Sequence, residues 1–241
     1  TTEKQIRKWE NIKCPVHRKL SSNAENYLYA MHLLNEKKEK ITASSILEYI
    51  KVLPSTENLG TSLPTVTGML KRMVRDHLII KNKNNEVFLT EYGEISAKEQ
   101  TKRFRLASKF VHEILKIDLK NVFQEAHLLE HAISQDVENA IEKLLNYPDK
   151  DPFGQDIPGS KKTEKINIIP LSKTTKNKSY TISKIPPENP EFVDFLHTNK
   201  ILPGNKINIH EVSDTRGIIN IKINNNSVDL ALNVAKTIWV K

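Results

Sequence analysis

A mainly α-helical chain that ends in a small β domain is what this sequence predicts, and three patterns carry the expectation. Apolar residues recur at three- and four-residue spacing in separate stretches between Tyr27 and Leu144, the mark of helices lying against a core. After residue 179 the pattern changes to short runs rich in β-branched residues. Between the two lies a Lys/Thr/Ser-rich stretch, 160–178, that reads as a linker.

Residues 1–22 form a basic extension with six basic and two acidic side chains and Trp9 as its one large anchor. Such an arm fits a DNA groove or a plain tail equally well. A first helix is expected over 23–35, capped from Ser21, Ser22 or Asn23, with Tyr27, Leu28, Met31 and Leu34 facing inward. A second, 42–50, turns Ile46, Leu47 and Ile50 inward, and 51–62, punctuated by Pro54, Asn58 and Gly60, reads as a loop. Ser62 can cap a third helix with Pro64 in its first turn and Val66, Leu70, Met73 and Val74 on its apolar face. Leu78 to Ile80 and Val87 to Leu89 flank a polar tip, a hairpin, and Thr90 with Gly93 opens a helical stretch reaching about Lys116. Three short helices, a hairpin and a long helix make the order of a winged helix-turn-helix, assigned to 23–102.

Residues 103–159 are expected to form a helical dimerisation domain from two helices, 103–116 and a single amphipathic helix at 121–145. The second carries Val122, Ala126, Leu129, Ala132, Ile133, Val137, Ile141 and Leu144 on one broad face. Two such helices enclose too little core alone and invite a partner, either the rest of the chain itself or a second copy. The last part, 179–241, offers strands at 180–185, 206–212, 218–223 and 237–240 and a short helix at 191–197, the pattern of an SH3-like β-barrel.

Composition narrows the function. Seven glycines leave little room for a phosphate-cradling loop, and the single cysteine, Cys14, forbids an intrachain disulfide. No apolar run approaches the ~20 residues of a membrane span, and no leader pattern is visible. The expectation is therefore a soluble, cytoplasmic protein with neither membrane nor small-molecule substrate as partner, and no enzyme. The net charge of +8 suggests a polyanion, and its distribution is uneven. Residues 1–100 carry 16 basic and 12 acidic side chains, 101–160 carry 8 and 10, and 161–241 carry 13 and 7. Basic ends around an acidic middle suit an anion at the ends and a cation in the middle.

Two constellations carry chemistry. Lys71, Arg72 and Arg75 lie on the third helix and Lys81 and Lys83 on the hairpin tip, with no acidic residue between Glu57 and Asp76. A helix fits the major groove while a basic wing tracks phosphates, which suits double-stranded DNA. Ser62, Pro64, Thr65, Thr67 and Gly68, in the first turns, are small, so base readout would lean on thymine methyls and on DNA shape.

The second constellation is His127, Glu130 and His131, which helical spacing converges on one patch. HxxEH is also the inverted zinc-peptidase signature, but that chemistry needs a further carboxylate ligand and a cleft that this chain does not offer. Cys14 with His17 is a lone CxxH, and a pair without a second pair is weak evidence of a zinc site.

The order of parts and several stretches resemble the diphtheria toxin repressor and manganese transport regulator family of metal-dependent transcription factors. The stretches are Glu25-Asn26-Tyr27-Leu28, Leu63-Pro64-Thr65-Val66-Thr67, Arg105-Leu106, and Glu125-Ala126-His127-Leu128-Leu129-Glu130-His131. Asn146-Tyr147-Pro148 followed by Asp151-Pro152-Phe153-Gly154 and Ile157-Pro158 belongs to the same pattern.

The resemblance implies a homodimer that binds a palindromic operator when loaded with metal and represses metal-uptake genes. It implies a primary metal site at Asn26, His127, Glu130 and His131. Asn26 stands where the family usually has Asp or Met, and His127 where it usually has Glu or Cys, so negative charge is lost. The cofactor is expected to be one divalent transition metal per subunit, Mn2+ or Fe2+ as the family implies. The nitrogen-rich shell tilts the expectation toward Fe(II), Co(II) or Zn(II). The family's second metal site is not kept, since its positions hold Phe104, Ser108, Phe123 and Phe153. The rival expectation is a metal-independent DNA-binding dimer whose two histidines merely pack.

Overall fold

A computed structural model of the chain describes residues 20–53, 59–160, 167–224 and 226–241. Trp9, Cys14, His17 and nearly all of the basic extension lie outside the described residues, as does the middle of the 51–62 loop. The fold divides into two compact units, one of residues up to 51 and 55–98, the other of 52–54 and 99–241.

The first unit begins with α1 (Ser22–Glu36), whose first turn is capped by the Ser21 hydroxyl accepting from the Ala24 amide. α2 (Ala43–Ile50) starts from a reciprocal capping box between Thr42 and Ser45. α3 (Leu63–Arg75) is capped by Ser62 and has Pro64 in its first turn, where its missing N–H costs nothing. β1 (Ile79–Lys81) pairs antiparallel with β2 (Val87–Leu89), placing Ile80 opposite Phe88. The core joins Tyr27, Leu28, Met31 and Leu34 of α1 to Ile46 and Ile50 of α2 and Val66, Leu70 and Met73 of α3. The Val87 amide donates to Ile41 O at 2.8 Å, tying the hairpin to the helices. The helix-helix-helix-hairpin order expected from the sequence is present.

α4 (Glu91–Glu113) runs across the division between the two units. In the second unit the single helix expected at 121–145 is two. α5 (Leu119–Glu130) ends at His131, and α6 (Gln135–Leu144) restarts at Ser134, whose hydroxyl accepts from the Val137 amide. The break has a physical cause: Ser134 with Asp136 and Glu138 makes a helix N-terminus, and a local cap with a complementary dipole outcompetes continuation. Val137 and Leu144, expected inward, are exposed.

The β portion contains β3 (Ile169–Pro170), β4 (Ser179–Lys184), β5 (Lys206–Ser213), β6 (Ile218–Ile223), β7 (Asn226–Ala231) and β8 (Trp239–Val240). Helix α7 (Pro190–Thr198) and the single turn α8 (Leu232–Ala235) interrupt it. The sheet order is β3-β8-β4-β5-β6-β7. β3 and β7 are its two edges, so the sheet is open and the expected SH3-like barrel is not closed. β3 falls inside the stretch expected as a linker, and its pairing with β8 brings that stretch into the sheet.

One core runs through this unit. Ile182, Val193, Ile207, Ile209, Ile219 and Ile221 of the β portion pack in the same cluster as Val111 of α4, Leu119 and Val122 of α5, and Phe153. Lys120 pairs with Asp194 of α7 at 3.3 Å along this seam. The loop after α6 adds a clip: Phe153 O accepts from the Ile185 amide at 3.0 Å, and Lys184 Nζ donates to Asp156 at 2.7 Å. Gly154 sits here at φ +82, and a Cβ would lie 2.0 Å from Ser183 O.

Candidate metal centre and nucleic-acid interface

His127 and Glu130 lie one turn apart on α5, and both are fully buried. The His127 Nδ1 to Glu130 Oε1 distance is 2.7 Å, and His131 Nε2 lies 3.7 Å from the same oxygen. One carboxylate oxygen is thus flanked by two imidazole nitrogens, the convergence that the spacing predicts. Among the described residues no three His, Cys, Asp or Glu side chains form a ready-made ion cage. The trio is a donor set, not a preformed site. Its chemistry fits a divalent transition metal, since imidazole suits zinc, iron and copper and a carboxylate adds charge.

Asn26 is fully buried on α1, in the first unit, whereas His127, Glu130 and His131 belong to the second.

Of the four positions expected to lack ligands, Phe104 and Phe123 pack on His127. The Phe104 ring lies 4.9 Å and the Phe123 ring 5.1 Å from the imidazole, and the two phenyl rings are 5.5 Å apart. Ser108 is buried with its hydroxyl donating to Phe104 O one turn earlier in the helix, and Phe153 is buried in the core shared with the sheet.

Sequence reasoning missed a buried carboxylate. Asp151 Oδ1 accepts from the Phe153 and Gln155 amides at 2.9 and 2.8 Å, while Oδ2 is buried without a hydrogen-bond partner. Burial pushes its carboxyl up to about 6, against the opposing pull of the Arg105 guanidinium, the two amides and Lys184. Arg105 is itself buried and donates to Asp156 O. The available signal was the Asp-Pro-Phe-Gly run, an Asx-turn sequence.

In the first unit, α3 presents Ser62, Pro64 and Thr65 exposed, Thr67 and Gly68 half-buried, and Lys71, Arg72 and Arg75 exposed. Among the described residues nothing outside its own stretch of helix stands within 4 Å of where a Gly68 side chain would begin. Lys83 is exposed at the hairpin tip and Lys81 half-buried at its base. No described helix is long and apolar enough to cross a membrane.

Residues 90–159 match the model of the iron dependent repressor metal binding and dimerisation domain, and residues 169–241 match the FeoA domain. The iron-dependent repressor IdeR of Mycobacterium tuberculosis is 37% identical over 103 residues, 43% of this chain and 45% of that protein. The diphtheria toxin repressor of Corynebacterium diphtheriae is 34% identical over 103 residues, covering 43% and 46%. The chain therefore matches a little under half the length of these curated relatives. Among solved structures, a manganese-dependent transcriptional repressor in complex with manganese superposes with a TM-score of 0.80 at 24% identity, over 90% of this chain and 98% of that one. That likeness establishes the fold. Residues 90–159 are thus similar to the metal binding and dimerisation domain of iron-dependent repressors and residues 169–241 to a FeoA domain, on a fold shared with that manganese-dependent repressor.

Proposed function

We propose that the chain is a metal-dependent transcriptional repressor, not an enzyme, acting in the cytoplasm as a homodimer on a palindromic operator of metal-uptake genes. The observation that carries this reading is the burial of His127 and Glu130 on one turn of a helix inside the matched metal-binding domain. A hydrogen-bonded carboxylate and imidazole held away from water cost folding free energy that an inert helix face would not need to spend.

In this reading His127, Glu130 and His131 hold the ion, and Asn26 is the fourth donor that the family resemblance implies. Bound there, a divalent cation supplies directional bonds to nitrogen and oxygen and neutralises the buried carboxylate. Two neutral imidazoles against one carboxylate favour Fe(II), Co(II) or Zn(II) over Mn(II), at one ion per subunit. The basic face of α3 and the hairpin lysines bind duplex DNA, with phosphates met by Lys71, Arg72, Arg75, Lys81 and Lys83 and base edges by Ser62, Pro64, Thr65, Thr67 and Gly68. Ordering by metal is linked to DNA affinity by a coupling of about 1 to 3 kcal/mol, or roughly 5- to 150-fold.

A second reading has one observation in its favour: the His127–Glu130 contact is made without a preformed cage, as in a metal-independent DNA-binding dimer. Selection of duplexes from a random pool with and without a chelator separates the two. A palindromic sequence enriched only with metal supports the sensor; equal enrichment in both arms refutes it.

A further inference from the structure

One face of the β4-β5-β6-β7 sheet is packed and the other is left to water. Ile207, Ile209, Ile219, Ile221, Val228 and Leu230 point into the core of the second unit, so the residues between them point out. Strand register sorts those outward residues into rows. Ser179, Asn208, Lys222 and Ser227 stand side by side across the four strands. Lys206 is opposite Thr181, which exchanges two backbone hydrogen bonds of 2.9 Å with Lys241 on its other side. In the third row Asn220 lies between Glu211 and Asp229.

The charges on this face are unequal. Glu211 is held by the Arg216 guanidinium, whose hydrogen bond keeps that carboxyl below its usual range, with Lys176 and His210 adding to the pull. Asp229 accepts from Asn220 Nδ2 at 2.6 Å. Lys176, Lys206, Lys222 and Lys241 are exposed, and none of them forms an ion pair among the described residues. No apolar side chain interrupts the rows. Ammonium groups among serine, threonine and asparagine side chains are the donors that meet phosphate and sugar oxygens in protein–DNA contacts. A lipid surface would ask instead for apolar side chains to sink below the headgroups, and the rows supply none.

We propose that this sheet face is a second contact for duplex DNA, gripping the phosphate backbone without reading sequence. The inference rests on the DNA-binding reading and extends it from the first unit to the second. Lys206 and Lys222 carry it at the centre of the face. Lys206 is two residues along β5 from Asn208, the partner of Lys222, a diagonal of about 7 to 8 Å. Each ammonium that neutralises a phosphate releases a counterion, which registers as about 0.9 in the slope of log affinity against log salt.

The test uses the full chain with Lys206→Gln and Lys222→Gln together, titrated in chelator against a duplex of random sequence at a series of salt concentrations. Both side chains project into water, so the pair should melt at the wild-type temperature. Its slope should fall by about 1.8, whereas Lys206→Arg with Lys222→Arg, which keeps the charges, should match the wild type. Should the glutamine pair fail to fold, each single glutamine variant is read against a drop of about 0.9.

A glutamine pair that folds and keeps the wild-type slope overturns the proposal. So does an arginine pair that loses as much slope as the glutamine pair, since the effect would then not follow charge. Loss of binding to vesicles of phosphatidylserine and phosphatidylcholine in equal parts, with the DNA slope intact, would assign the face to a membrane and overturn it too. Arg72→Ala separates this inference from the reading beneath it. An unchanged slope there, with a reduced slope in the glutamine pair, removes α3 from the DNA contact and leaves the sheet face in place. A wild type that binds no duplex removes both.

Discussion

Asp151→Asn should change the pH dependence of stability in a direction and by an amount that the structure dictates. The carboxyl is raised by burial from 3.8 in the unfolded chain to about 6 in the fold. Between those values the folded state holds more protons than the unfolded, so the group's contribution is fully present below about pH 4 and is lost as pH rises through about 6. The whole loss is about 3 kcal/mol, at roughly 1.4 kcal/mol per tenfold, and about 2 kcal/mol of it falls between pH 4 and 7. Asparagine keeps the oxygen that accepts from the Phe153 and Gln155 amides but has no charge to bury. The variant-minus-wild-type stability should therefore rise by about 2 kcal/mol from pH 4 to pH 7, whatever its offset from the weakened pull on Arg105. Trp239 lies on β8 in the same unit and reports its unfolding in urea, with Trp9→Phe removing the other indole. A difference that stays flat across that window would show that Asp151 is ionised and solvated, and would refute the argument.

Four further substitutions have outcomes that can be stated in advance. Ser62→Ala removes the cap of α3 and should cost about 1 kcal/mol of stability in the first unit, read by hydrogen exchange of the α3 amides. Arg72→Ala should weaken binding to all duplexes alike and reduce the slope of log affinity against log salt by about 1, whereas Thr65→Val should change sequence preference and leave that slope intact. Gly154→Ala places a methyl on Ser183 O at a left-handed φ and should destabilise the second unit by about 2 kcal/mol or more, seen as a lower melting temperature.

Local signals were the legible part of this chain. Ser62 with Pro64 announced α3, and the polar run from Lys81 to Glu86 announced the turn of the hairpin, because caps and turns are encoded by adjacent residues. The break after His131 was hidden by Ala132 and Ile133, which continue the apolar rhythm across it; Ser134 followed by Asp136 and Glu138 was the overlooked cue. β7 escaped because Asn226, Ser227 and Asp229 dilute its two buried residues, Val228 and Leu230. Whether a sheet closes depends on which edges meet, which periodicity within a strand does not encode. At the site, the spacing of His127, Glu130 and His131 was readable as one helix turn. The packing of Phe104 on His127 was not, since it joins residues 23 apart through tertiary structure, and neither was the burial of Asp151.

The central claim is that a divalent ion at His127, Glu130 and His131 governs DNA affinity. Fluorescence anisotropy with the selected operator, run with metal and with chelator on wild type and on Glu130→Gln, tests it directly. The account predicts a gain of roughly 5- to 150-fold with metal in the wild type and a gain of less than about 2-fold in the variant, which keeps the shape of the side chain and loses its charge. An equal response in both proteins, or none in the wild type, would contradict it.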